Sequence, residues 1–154
     1  MVPPFVVLSP SPVRVHTVAM NWLVKEEPSN YNFAQFRKDK RTAWSGVRNP
    51  VAQRNLRAMQ KGDRVFYYHT GDEKQIVGTA KVAATATPDP ADSTGRLCVV
   101  ELACEAPLPA PVTLKAIKAD PRFADFALVR IARLSVMPVT DQQWGWIEKL
   151  AARG

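Results

Sequence analysis

Behind Gly62, the seven residues from Asp63 to His69 run through Val65, Phe66, Tyr67 and Tyr68 without a break. β-Branched and aromatic side chains at that density read as a buried strand, and a buried strand obliges the rest of the chain to cover it. The segment just before supplies part of the cover. Asn49-Pro50 is a helix-start signal: the Asn side chain can cap free N–H groups, and Pro fits the first turn, where its missing N–H is not needed. Ala52, Leu56 and Met59 then recur at helical spacing as one apolar face. Arg54, Arg57 and Lys61 fall on another, and Gly62 ends the helix. A bend holding Trp44 and Gly46 leads into this helix. The spacing therefore predicts a flat aromatic surface, N–H donors and a positive dipole end gathered in one place.

Around this unit the order of elements points to an α+β chain. Asn21 to Lys25 reads as the first strand, and Phe33 and Phe36 begin a short helix that ends in the charge run Arg37-Lys38-Asp39-Lys40-Arg41. After Thr70, Gly71 to Lys74 is a hairpin loop, Gln75 to Ala86 a strand, Pro88 to Gly95 a turn and Arg96 to Glu105 another strand. Long strands joined by short loops make an antiparallel meander. Pro107, Pro109 and Pro111 are expected to break the sheet. Thr113 to Ala119 reads as one short helix, and Leu128 to Val136 as one or two short closing strands. The last helix is marked by a capping box, Thr140 with Gln143, and by a hydrophobic staple, Val139 with Trp144. The length of 154 residues suits one domain.

Several of these stretches together resemble the EVE domain, a family of the PUA-like superfamily to which the YTH readers of methylated adenine also belong. The resemblance is carried by Trp44-Ser45-Gly46-Val47-Arg48-Asn49, by Asn55 to Met59, by Lys61-Gly62-Asp63 and by Phe66-Tyr67-Tyr68-His69-Thr70. Asn21 to Pro28 resembles the family's opening strand, and the match extends over about residues 20 to 150. It implies a PUA-like pseudo-β-barrel of mixed, mostly antiparallel strands with three or four short peripheral helices. Two departures fall at the presumed ligand end: Ser45 stands where the family commonly has Asp, and Glu26 where it commonly has Ser. Met20 directly precedes the family-like opening, so residues 1–19 read as a flexible extension or a mis-assigned start, and 20–154 as the single domain.

The expected function follows from the aromatic content and the charge. Residues 20 to 70 hold ten Lys and Arg against four Asp and Glu, which accounts for +6 of the net +7. A basic half of this kind points to phosphate-bearing partners. A base is recognised by stacking on aromatic faces while polar groups read its edges. The resemblance implies that Trp44 is a cage wall, and as such it would have fewer core contacts than a buried Trp. Trp22, Tyr67, Tyr68 or Trp146 could complete the walls, although Trp22, like the staple residue Trp144, reads first as core. Ser45, Gly46, Val47, Asn49, His69, Thr70, Lys25 and Glu26 are the remaining ligand candidates. Arg48 reads equally as a phosphate clamp or as a partner of Glu26. Arg54, Arg57 and Lys61 are candidates for the nucleic-acid backbone. His69, alone in its strand, reads first as a hydrogen-bonded structural residue.

The expectation is thus a cytoplasmic binding module for a modified base in DNA or RNA, or for a free modified nucleoside, without catalytic residues, cofactor, metal or membrane. Two alternatives stand beside it. The related ASCH group includes amidohydrolases acting on modified cytidine through Lys, Thr and Glu, types that Lys25, Thr70 and Glu26 supply, though at no diagnostic spacing. The other is a module for a small ligand or peptide. Cys98 and Cys104 read as reduced core residues rather than a disulfide or metal pair.

Overall fold

The computed structural model describes residues 20–153, so the expectation for residues 1–19 lies outside them. Tyr67, Phe66 and Val65 are fully buried, and the aromatic strand that holds them, β3 (Arg64–His69), lies inside the sheet. Its neighbours are β1 (Asn21–Glu26), which runs parallel to it, and β4 (Gln75–Pro88), which runs antiparallel. Beyond β4 lies β5 (Cys98–Thr113), and β5 pairs in turn with β2 (Arg41–Trp44). At the other end β6 (Val136–Val139) pairs antiparallel with β1. The six-stranded order is β2-β5-β4-β3-β1-β6, with one parallel pair. The fold is α+β with a mixed, mostly antiparallel sheet, as expected.

The helix between β2 and β3, α2 (Pro50–Ala58), ties the two ends of this sheet together. Its Asn55 amide donates to the Val136 carbonyl on β6 at 2.7 Å. On the same helix Gln53 is buried. Its amide oxygen accepts from the Cys98 N–H at 2.9 Å, and its nitrogen donates to the Val47 carbonyl at 2.6 Å. One helix therefore satisfies backbone groups at opposite margins of the sheet, which curls it toward a barrel. The sequence did not show this tying role for either residue, because an amide on a helix reads as solvent-facing until its neighbours are known.

Two expectations about the elements need correction. Pro107, Pro109 and Pro111 do not break the sheet, since β5 runs on to Thr113 with shifts of register against β4. Pro109 and Pro111 fall between the Gly78–Pro107 and Ile76–Val112 pairs, where the register against β4 shifts, and β2 pairs with β5 only from Val100 to Ala103, so few ladder bonds are asked of them. The stretch from Leu128 is not a strand at its start. Helix α3 (Leu114–Lys118), capped by Thr113 as expected, is followed by a 3₁₀ turn (Pro121–Phe123) and by α4 (Ala127–Arg130). Only Val136–Val139 pairs with the sheet. With α1 (Phe33–Asp39) and α5 (Asp141–Arg153) the described residues form five α-helices, more than anticipated, because four-residue α4 is too short to show a period.

The ends of the fold are held as their residues dictate. The Thr140 N–H donates to Gln143 Oε1 and the Gln143 N–H to Thr140 Oγ1, both at 3.0 Å, which closes the capping box of α5. Trp144 then stacks on Phe66 at 3.6 Å. Trp22 is buried and donates from Nε1 to Asp63 Oδ2 at 2.9 Å. Both rings are core, as read. Among the described residues no helix is long and apolar enough to cross a membrane.

Candidate functional site

Side chains alternate along β1, so Lys25 and Glu26 leave it toward opposite faces of the sheet. That single fact divides the expected site in two. Glu26 joins Asn30, Tyr31, Thr42, Trp44 and Ser45 around a cleft of about 340 Å³, with Gly46 at its rim. Lys25 instead joins Tyr68 and Thr70, together with Lys74, Lys118 and Leu114, around another of about 290 Å³. Asn30, Tyr31 and Thr42 were missed in the sequence because they lie on a turn and on the short strand β2, where nothing distinguishes a cleft wall from surface.

Trp44 is the last residue of β2 and only 5% exposed. It packs edge to face on Tyr67 at 5.4 Å, and Tyr67 in turn stacks on Phe36 at 5.5 Å and meets Phe33 at 5.4 Å. The expectation that Trp44 has fewer core contacts than a buried Trp is therefore wrong. The ring closes the aromatic core and borders the cleft with what remains. The expected partner walls are elsewhere too: Trp22 and Tyr67 are core, Tyr68 lines the Lys25 cleft, and Trp146 lies edge-on against Phe123. Tyr31 is the second aromatic of the Trp44 cleft. Its hydroxyl donates to Asp39 Oδ2 at 2.7 Å, and burial, followed by that bond, pushes its pKa up to about 12.

Glu26 is the one formal charge lining the Trp44 cleft. One carboxylate oxygen accepts from the Glu27 N–H at 2.9 Å, which leaves the other to accept from a ligand. The Tyr67 pKa is raised, first by burial and then by the negative charge of Glu26. In a protein of net charge +7, this cleft is locally negative.

The loop from Ser45 to Asn49 behaves differently from its expectation. Gly46 adopts φ +78°, a left-handed turn that lets the chain leave β2 for α2. Asn49 Oδ1 accepts from the N–H groups of Val51 and Ala52 at 2.9 and 3.0 Å. The Gln53 N–H bonds to the Asn49 carbonyl, and Pro50 has no N–H to give. The first-turn donors of α2 are thus consumed internally, and the helix start offers a ligand no free N–H. Val47 is buried. Arg48 is exposed and makes no ion pair with Glu26. It borders a neighbouring cleft of about 440 Å³ with Ser45, Gly46, Asp89 and Asp92. On α2, Arg57 donates to the Arg96 carbonyl, whereas Arg54 and, just beyond the helix, Lys61 are exposed.

His69 is buried between its two bonds. Nε2 accepts from the Phe33 N–H at 3.0 Å, so the ring proton sits on Nδ1 and is donated to Glu73 Oε1 at 2.9 Å. His69 therefore joins α1 to the β3–β4 loop and faces neither cleft. Thr70, which lines the Lys25 cleft, donates to Glu27 Oε2 at 3.1 Å. The described residues contain no group of three or more His, Cys, Asp and Glu placed to hold a metal, and Cys98 and Cys104 are free.

With this geometry in view, known proteins give a consistent comparison. A family model described as the EVE domain matches residues 20–150. Thymocyte nuclear protein 1 of Gallus gallus is 36% identical over 81 residues, 45% of this chain and 34% of that protein, so the match spans about a third of the relative's length. A protein of Rhodopseudomonas palustris, solved by NMR, superposes with a TM-score of 0.83 at 44% identity, covering 88% of this chain and 94% of its own. The human THYN1 protein, whose structure is that of a complex with 5-methylcytosine-containing DNA, shares the fold with a TM-score of 0.79 at 23% identity. That superposition covers 86% of this chain and 98% of the human one.

Proposed function

The chain belongs to the EVE domain family, and from that premise we propose that it binds DNA carrying a modified base, taking the base into the Trp44 cleft. One observation carries the reading: an aromatic wall of Trp44 and Tyr31 meets a single carboxylate, Glu26, in an otherwise uncharged cleft. Aromatic faces take a base by stacking, worth ~1–3 kcal/mol per base by alanine substitution. The carboxylate only accepts, so it favours a base edge that donates, as the exocyclic amine of cytosine does. The human relative's complex with 5-methylcytosine DNA supports a modified cytosine as the first candidate. A 5-methyl group against Trp44 or Tyr31 adds only ~0.8 kcal/mol, so fit and the Glu26 bond have to supply the rest of the selectivity. Exposed Arg48 and Arg54 supply backbone contacts on this reading.

The amidohydrolase alternative requires Lys25, Thr70 and Glu26 to act on one substrate atom. Lys25 and Thr70 line one cleft and Glu26 the other, and this separation speaks for binding without turnover.

The test is a binding series on short duplexes that differ at one position: 5-methylcytosine, cytosine, thymine, and the matching RNA. The expected order puts 5-methylcytosine DNA first and thymine last. Glu26→Gln should narrow the gap between cytosine-type and thymine-type bases about tenfold, the scale of one charged hydrogen bond. Equal affinity for all duplexes would remove base reading from this protein. Tighter binding of modified RNA would move the partner to RNA.

A further inference from the structure

The Lys25 cleft has no part in this base reading, yet it is built as a site. Its inner part, about 290 Å³, carries Lys25, Lys74 and Lys118 and no carboxylate, over a floor that includes Tyr68, Leu114 and Leu128. An outer part of about 470 Å³ shares Lys74, Leu114 and Lys118 and adds Lys115 with Asp72 and Glu73. Over both parts four lysines face two carboxylates, so the cleft keeps a net positive charge, and Glu73 is already engaged by His69 at 2.9 Å and by Gln75 at 3.3 Å. No Lys makes an ion pair among the described residues.

The walls are also fixed in advance. Lys25 is half-buried, donates one of its three protons to the Ala132 carbonyl at 2.8 Å and sits 5.7 Å from the Tyr68 ring centroid. Lys74 stands at φ +47°, a left-handed conformation that side-chain-bearing residues adopt at some cost. Its carbonyl accepts from the Leu114 N–H at 2.8 Å, so the β3–β4 loop is bolted to the start of α3. Burial lowers the Lys25 pKa, and a bound anion would oppose that.

We propose that this cleft is a phosphate site: Lys25, Lys74 and Lys118 hold the phosphate of a nucleotide whose body rests on Tyr68, Leu114 and Leu128. Ammonium groups act as compact point charges with rotatable donors, which suits a phosphate oxygen set and needs no planar fork. The phosphate has two possible sources. It belongs either to a free nucleotide or to the strand whose base occupies the Trp44 cleft, because both clefts lie beside the end of β1, at Lys25 and Glu26.

The first arm titrates the ¹⁵N-labelled full chain with a nucleoside 5′-monophosphate, with the nucleoside as control. The expected result is saturable shifts of the Thr70–Lys74 and Leu114–Lys118 amides with the monophosphate alone. Lys74→Gly combined with Lys118→Gln should weaken them at least about tenfold, two charged contacts being lost. Gly suits φ +47° and Lys118 is exposed, so this variant folds. The second arm follows a modified duplex as salt is raised. A slope reduced by about one per lysine removed assigns the phosphate to the strand. An unchanged slope, with monophosphate binding lost, assigns it to a free nucleotide. Shifts equal for nucleoside and monophosphate, or unmoved by the double variant in both arms, overturn the proposal. The first arm decides even where no duplex binds.

Discussion

Lys25 and Glu26 are adjacent in the chain but serve clefts of opposite construction. The Glu26 cleft is the outer surface of the aromatic core: Trp44, Tyr67, Phe36 and Phe33 form one cluster of rings behind it. The Lys25 cleft is assembled largely from a loop and the short helices α3 and α4, with exposed lysines at its rim. The first gains a rigid, preorganised wall, and every change to it is also a change to the core. The second can exchange its charges freely. Lys74→Gly and Lys118→Gln should leave stability within ~0.5 kcal/mol, as surface changes usually do. On the proposed reading, recognition and folding are coupled on one face of β1 and nearly independent on the other.

The largest expected effect lies in the coupled half. Trp44→Ala should cost ~3–5 kcal/mol of stability, the range for a buried aromatic cut to Ala, and remove base binding with it. Trp44→Phe keeps most of the packing and separates the two losses. If Trp44→Ala melts within a degree or two of the wild type, the cleft wall is not part of the core and the contrast collapses.

Next comes Gly78→Ala. A Cβ there would meet the Phe33 ring at 2.2 to 2.6 Å, and that ring is buried against Tyr67. Overpacking of this kind costs ~1–3 kcal/mol. Displacement should travel through Tyr67 to Trp44, so the Trp44 cleft should lose affinity while monophosphate binding stays as it was. Parallel loss at both clefts would argue that they are one unit.

His69 sits between the two halves, and His69→Phe fills its space without an acceptor. The Phe33 N–H is then left unpaired, worth ~1–3 kcal/mol of destabilisation by denaturant melts, and Glu73 is released. Glu73 has a pKa held below the usual carboxylate range, first by its bond from His69. In the variant that depression should shrink in a carboxylate NMR titration, leaving only the part due to Gln75. A Glu73 titration identical in both proteins would mean that the bond is not made in solution.

The smallest effect concerns the loop beside Ser45 and Gly46. Asp92 accepts from the Thr94 hydroxyl and from the N–H groups of Leu97, Thr94 and Arg96, and its pKa is pushed down to about 2. A depressed carboxylate contributes stability above its unfolded value, ~3.9, and loses it as pH falls through the folded value. The Arg96 and Leu97 amides should therefore lose their hydrogen-exchange protection between about pH 4 and pH 2, and in Asp92→Asn to a lesser degree at neutral pH. Protection unchanged across that range would show that the loop is held by something else.

Local rules settled much of this protein. The Asn49-Pro50 cap, the Thr140–Gln143 box, the Thr113 cap, the buried β3 and the core roles of Trp22 and Trp144 each depend on residues a few positions apart or on plain burial, so the sequence determined them. The same holds for the structural reading of His69, although its partners, Phe33 and Glu73, come from different parts of the fold. Tertiary structure alone decided the rest. Whether Trp44 faced ligand or core depended on Tyr67, whose side chain arrives from another strand. Whether Lys25, Thr70 and Glu26 shared a site depended on which face each took, and β alternation fixes only that neighbours differ. Gln53 and Asn55 became the ties across the sheet because carbonyls and N–H groups of Val47, Cys98 and Val136 happened to need partners there. Such partners lie up to 81 residues away in sequence. A side chain's role is set by what the fold brings to it, and a one-dimensional pattern carries its chemistry without its neighbours.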